Sequence, residues 1–246
     1  MKTTTKRINK IKQITIIGLF VALAYVVSAI LPIKVSFLTL DFKDVISTIC
    51  GMFFGPVAGI ICAAIVPFIE MVTTSETGLY GLVMNLISSV TFVATASIIY
   101  KYKKTLWGAI IGLVTASVLT MGLMTLANIF ITPYYLEFKF NMPLQSAKDM
   151  VVGLLPTTII PFNAVKSIFN ASLVMFLYKP FSKTLKAMGL AKSHGQTSKS
   201  NEESQKHAKL RSILVALISV IIIIGAILIV FVVLKGEIQA PAWIKE

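Results

Sequence analysis

Residues 151–178, VVGLLPTTIIPFNAVKSIFNASLVMFLY, are long and apolar enough to cross a lipid bilayer. A chain in hydrocarbon must satisfy its own backbone hydrogen bonds, and a helix does so within a single segment. Pro156 and Pro161 suit an irregular start followed by a helix that begins near Pro161. At about 100° per residue, Asn163, Lys166, Ser167 and Asn170 then share one side of that helix. A lysine at membrane depth costs about 2.5–3.5 kcal/mol on insertion scales, so Lys166 should face protein, a cavity or a ligand. Two readings stay open on these residues. Lys166 is either a structural group, paired with a neighbouring helix or snorkelling to an interface, or part of a ligand-binding stripe.

Further apolar runs occupy residues 14–31, 45–54, 57–72, 82–100, 106–131 and 212–234. They are far longer than the roughly 10 residues of a barrel strand, with the 45–54 run the exception, so the chain reads as all-α. Only 13% of residues are charged, about half the fraction of a soluble domain, which makes it an integral membrane protein. Residues 1–13 are basic and also fit the start of a signal peptide, with Val27-Ser28-Ala29 as a loose cleavage site. Because more spans follow, 14–31 reads as helix 1. Gly18 and Ala22, then Ala24 and Ser28, have the small-xxx-small spacing that lets another helix approach closely.

The connection 32–44 alternates apolar and polar positions, and Asp41 and Asp44 lead out of it into the short run 45–54. Gly55-Pro56 punctuates the next boundary, Pro67 is expected to kink the third run, and Glu70 lies near its end. The fourth span carries Asn85, Ser88 and Ser89 on one side; the fifth carries Ser117, Thr125 and Asn128 with Met121 and Met124. Residues 132–150 read as the longest connection within the core, and 151–178 as the sixth span. The organisation expected is a six-helix core over 1–180, a basic polar cytoplasmic linker over 181–211, an additional transmembrane helix over 212–235 and a short external tail over 236–246. The additional helix is almost all Ile, Val and Leu, so it reads as lipid-facing and without chemistry.

The excess of 23 Lys and Arg over 10 Asp and Glu suggests nucleic acid until its distribution is read. Placing the N-terminus in the cytoplasm puts most basic residues inside, and Glu202 and Glu203 are then the only acids there. That agrees with the positive-inside rule, sets the C-terminus outside, and accounts for the charge without nucleic acid. Cys50 and Cys62 lie in apolar runs and offer no disulfide framework. His194 and His207 sit in the polar segment, too isolated for a metal site. No phosphate-cradling G-x-x-x-x-G-K-[ST] loop, nucleophile elbow or intramembrane histidine is present. No catalytic residue is assigned, and an enzyme is not expected. What remains is a set of amides, Asn85, Asn128, Asn163 and Asn170, the first three of which converge near the outer face at the level of the 37–44 loop. An amide offers both donor and acceptor, which suits a heterocycle edge that alternates C=O and N–H. Interhelical hydrogen bonding is the structural alternative for each.

FLTLDFKDV at 37–45, GPVAGI at 55–60, Asn85 at a helix start, Asn128 late in the fifth span and PFNAVKSI at 161–168 resemble one family. It is the S-components of energy-coupling-factor vitamin transporters, specifically those of riboflavin uptake, and the resemblance covers about residues 10–180. It implies six core helices in a bacterial cell membrane and a vitamin bound near the outer face under the first loop. It also implies ATP-driven import with a transmembrane coupling subunit and two ATPases. The small face of helix 1, Gly18 and Ala22, would meet the coupling subunit. Asn128, Asn163 and Lys166 would hydrogen-bond a flavin, with Asn85 and Asn170 in the same site, and Leu38, Leu40 and Asp41 would cover it. Riboflavin is the transported ligand, and no further cofactor is implied. Asp41 and Asp44 can equally serve as helix caps. The rivals are an S-component for folate or thiamine, a self-sufficient secondary transporter with Glu70 as its first candidate carboxylate, and a structural membrane scaffold.

Overall fold

The computed structural model describes residues 2–30, 32–35, 38–40, 42–75, 77–187, 202–229 and 237–238. α1 (Lys2–Ile30) carries the basic start and the first apolar run as one helix. Its apolar part, Gln13–Ile30, is long and apolar enough to cross a bilayer. So are α3 (Pro56–Thr73), α4 (Gly78–Tyr102) and α5 (Leu106–Phe140). A fifth such stretch, Leu144–Thr184, combines α6 (Leu144–Leu154), a π-helical turn (Leu155–Ile159) and most of α7 (Ile160–Ala187). α2 (Lys43–Phe54) and the apolar part Ile213–Leu228 of α8 (Glu202–Leu228) are shorter. The expected six helices plus one are therefore five full-length spans and two short apolar helices among the described residues.

Where the chain leaves α2, Gly55 adopts φ 106°, a conformation glycine accepts without strain, and Pro56 opens α3. The two helices fold back closely: a Cβ on Gly59 would lie 2.6 Å from the Cα of Gly51. This is what the GPVAGI segment supplies. The buried cluster beneath it, including Ala24, Ile49, Cys50, Cys62, Val66, Phe92, Ala96, Leu113, Ala116 and Val174, joins α1 to α5 with α7. Its many small side chains permit close helix approach where hydrophobic attraction between helices is absent.

Three features depart from the sequence reading. First, the chain is not wholly α. β1 (Ile33–Val35) and β2 (Leu38–Leu40) form an antiparallel hairpin, and β3 (Glu237–Ile238) pairs with the other edge of β1, giving the order β2-β1-β3. The alternation in 32–44 is a strand period: Leu38 and Leu40 are buried and Thr39 between them is half-buried. β3 thus returns the C-terminal segment to the connection between the first two helices.

Second, the long connection expected over 132–150 is nearly all helix. α5 continues to Phe140, Asn141 caps it in the left-handed conformation (φ 50°) that asparagine tolerates, and α6 starts at Leu144. Leu136, Ala147, Val151 and Ile159 bury one another across this α5–α6 pair, which stabilises helix in a segment too polar to read as a span. The 35 residues of α5 extend about 52 Å at 1.5 Å per residue. Exposed Trp107 and Phe138 near its two ends are about 46 Å apart by the same rise, close to a bilayer with its headgroups.

Third, α8 begins at Glu202, so the C-terminal part of the expected linker is helical. α8 packs along α7 instead of facing lipid on all sides. Ser219 and Ala226 are buried, and Ile223 packs against the same cluster as Ala226.

Candidate functional site

The π-helical turn positions the polar stripe. Pro161 has no N–H to donate to the preceding turn, and the wider i→i+5 turn at Leu155–Ile159 accommodates that loss. The Ile160 N–H donates to the Leu155 carbonyl, and regular helix resumes from Ile160. Asn163, Lys166, Ser167 and Asn170 then all lie buried on one face of α7, Lys166 at 7% exposure. The sequence prediction for this stretch is borne out in its start, its face and its burial.

Each stripe residue has a defined partner. Asn163 Nδ2 donates to the Ile159 carbonyl at 2.8 Å, inside the π turn. Lys166 Nζ donates at 3.1 Å to the carbonyl of Thr39, the central residue of β2. Asn170 Nδ2 lies 3.4 Å from Asp44 Oδ2. Ser117 Oγ donates at 3.2 Å to the Ser167 carbonyl and sets the antiparallel register of α5 on α7. Thus Lys166 is buried among protein groups and ties the hairpin to the stripe.

That register places Asn128 opposite the π turn, about 10 Å along the axis from Asn163 at 1.5 Å per residue. Asn128 Nδ2 donates to the Met124 carbonyl at 2.7 Å, and Thr132 Oγ1 donates to Asn128 Oδ1 at 2.9 Å. An amide has two donors and two acceptor lone pairs, so Asn128 and Asn163 keep capacity beyond these bonds. Asn170 Oδ1 is buried with no hydrogen bond among the described residues, as are the hydroxyls of Ser89 and Thr120. The stripe therefore combines a lysine, amide donors and one buried acceptor without a hydrogen bond among the described residues, Asn170 Oδ1.

The hairpin lies directly above. Leu38 and Leu40 are buried with Ile33 against Phe162, Val165 and Phe169 of α7 and Ala226 of α8. The sequence places these leucines over a ligand ring; the structure seats them on the apolar shoulder of α7. Asp41 lies outside the described residues. Asp44 is not the N-cap of α2, which is Phe42, but stands in its first turn, where a carboxylate favours the helix dipole, and it accepts from Asn170. Asn85 is half-buried in the second turn of α4 and, among the described residues, no hydrogen bond links it to this network.

Beside the stripe is a buried group that sequence reasoning missed. Lys43 Nζ lies 2.7 Å from Glu70 Oε2, and Ser28 Oγ donates to Glu70 Oε1, so α1, α2 and α3 are pinned together. The signal was available in Glu70, since a carboxylate at membrane depth requires a cation or a donor. The sequence places Lys43 in the connection 32–44; the structure makes it the first residue of α2. Gly18 and Ala22 are both exposed on α1, with nothing within 4 Å of a Cβ placed on Gly18. Ala24 and Ser28 on the other face are buried. Among the described residues no three His, Cys, Asp or Glu side chains gather as metal ligands.

A family model described as the ECF transporter substrate-specific component matches residues 12–178. The riboflavin transporter RibU of Staphylococcus aureus (strain TCH60) is 30% identical over 178 residues, 71% of this chain and 93% of that protein. The riboflavin transporter FmnP of Bacillus subtilis (strain 168) is 27% identical over 183 residues, 70% of this chain and 94% of the relative. Among solved structures, the S component of a bacterial ECF transporter superposes with a TM-score of 0.58 at 31% identity, covering 72% of this chain and 99% of the other.

Proposed function

The chain belongs to the substrate-specific components of ECF transporters, and on that premise we propose that it binds riboflavin, or a closely related flavin, for ATP-driven uptake. The ligand lies on the α7 stripe beneath the β1–β2 hairpin. The observation that carries this reading is the buried face Asn163–Lys166–Ser167–Asn170, with buried Asn128 of α5 opposite the π turn that precedes it. Two amides about 10 Å apart along the axis suit the two ends of an elongated ligand rather than one small ion. Lys166 supplies donors, and Asn163 supplies both donor and acceptor, to groups that alternate along a flavin's edge or ribityl chain. Naming the ligand riboflavin draws support from the relatives RibU and FmnP, both riboflavin transporters.

The hairpin end faces outward in this proposal. Lys101, Lys103 and Lys104 lie exposed at the opposite end, as cytoplasmic basic residues should. ATP is used by partner subunits, two ATPases and a transmembrane coupling subunit, because the sequence has no phosphate-binding loop of its own. The coupling subunit docks on the exposed Gly18–Ala22 face of α1. Glu70, the carboxylate a gradient-driven transporter would need, is neutralised by Lys43 in the scaffold.

Flavin fluorescence quenching in detergent tests the site, with wild type, Asn163→Ala, Asn128→Ala and Lys166→Met compared. Removing a partner from a buried ligand group costs about 1–3 kcal/mol, so each variant should weaken binding roughly five- to 150-fold. Variants that fold and bind like wild type would make the stripe packing rather than a site. A wild type that ignores flavins but binds folate or thiamine would keep the family role and change the ligand.

A further inference from the structure

The family match stops at residue 178, and nothing in the proposed binding step requires α8 or β3. Both nevertheless contact the elements that close the site. Ser219, Ile223 and Ala226 recur at helical spacing and form a seam on α8. Ala226 is 5% exposed within the cluster that holds Ile33, Leu38 and Leu40 of the hairpin on Phe162, Val165 and Phe169 of α7. Ile223 packs against the same cluster. Beyond α8, β3 pairs antiparallel with β1, with Ile33 opposite Ile238 and Lys34 opposite Glu237.

These contacts matter because the hairpin is small. Each of its strands has 3 residues, and an isolated two-stranded hairpin is marginal at best in water. Three things hold it over the stripe: the Lys166–Thr39 hydrogen bond, the apolar cluster, and the third strand. The C-terminal extension supplies the last and part of the second.

We propose that α8 and β3 form a strap that keeps the β1–β2 hairpin closed over the α7 stripe and thereby sets the rate at which ligand leaves. This rests on the reading of the stripe as the ligand site. Two variants of the full-length protein move the strap in opposite directions. Glu237→Pro with Ile238→Pro removes the backbone donors of β3, whose pairing is with β1. Lys34→Cys with Glu237→Cys locks the strap, since directly opposed residues of an antiparallel pair lie within disulfide reach. The native Cys50 and Cys62 are buried elsewhere.

Hydrogen–deuterium exchange of the β1 and β2 amides in ligand-free protein reports hairpin opening, and stopped-flow displacement of riboflavin reports ligand release. The proline variant should speed both, release by roughly five- to thirtyfold, the size expected for one or two lost net hydrogen bonds. The disulfide variant should slow both until reductant is added. Unchanged exchange in both variants overturns the strap, as does altered exchange with unaltered riboflavin release. If wild type does not bind riboflavin, the ligand reading fails, and exchange alone then decides whether the strap holds the hairpin.

Discussion

Replacing Glu70 by leucine tests whether the buried Lys43–Glu70–Ser28 group is scaffold or mechanism. The Lys43 and Glu70 side chains are 3% and 10% exposed and 2.7 Å apart. Removing one partner of such a pair costs about 3–5 kcal/mol, because a charge is left in an apolar interior, whereas replacing both by apolar groups is near neutral. At about 2–4 °C per kcal/mol for a chain of this size, Glu70→Leu alone should lower the unfolding midpoint by about 6–20 °C. The lower end is expected here, since helices in a micelle find substitute polar partners and membrane-protein interactions measure smaller than their vacuum strength. Ser28 limits the loss further, because its hydroxyl can turn back to the carbonyl one turn earlier. Lys43→Met should behave alike, and the double variant Lys43→Met/Glu70→Leu should return to within about 3 °C of wild type. The measurement is thermal unfolding of detergent-purified protein, followed by riboflavin titration of each variant. The double variant should bind as wild type does, because the group joins α1, α2 and α3 and leaves the α7 stripe intact. A double variant as unstable as the two singles together would refute the pairing argument. A stable double variant that had lost riboflavin would move Glu70 into the binding machinery.

Two further outcomes follow from particular contacts. Gly59→Ala places a Cβ 2.6 Å from the Gly51 backbone, so it should destabilise the α2–α3 pair by about 1–3 kcal/mol, read as a lower midpoint in the same unfolding assay. Gly18→Leu with Ala22→Leu fills an exposed face of α1 that touches nothing in this chain; co-purification with the coupling subunit should fail while riboflavin titration is unchanged.

Much of this protein is legible without coordinates. Transfer free energy and the 3.6-residue period act within a window of some twenty residues, and both are properties of the local chain. They suffice for the membrane class, for most helix positions, for the irregular start of α7 before Pro161, and for the burial of Asn163, Lys166, Ser167 and Asn170 on one face. They read Gly18 and Ala22 and then Ala24 and Ser28 alike as close-packing faces of α1, and only the structure shows the first pair exposed and the second buried. Where local signals compete, the same reasoning misleads. The 132–150 segment has the polarity of a loop, yet Leu136, Ala147 and Val151 make it helix by packing across the Asn141 turn.

Partners are another matter. Lys166 reaches a carbonyl 127 positions away, and Lys43 meets a carboxylate 27 positions away. No window contains both members of either pair, and a lysine's need for a partner does not specify which one. The C-terminal helix is the sharpest case. A run of Ile, Val and Leu is equally favourable against lipid and against another apolar helix, because the bilayer removes the free-energy difference that separates inside from outside in water. Only packing could decide that Ala226 sits beneath the hairpin and that Glu237–Ile238 extends its sheet. Sequence determined what each segment could be; tertiary contact decided what it touched.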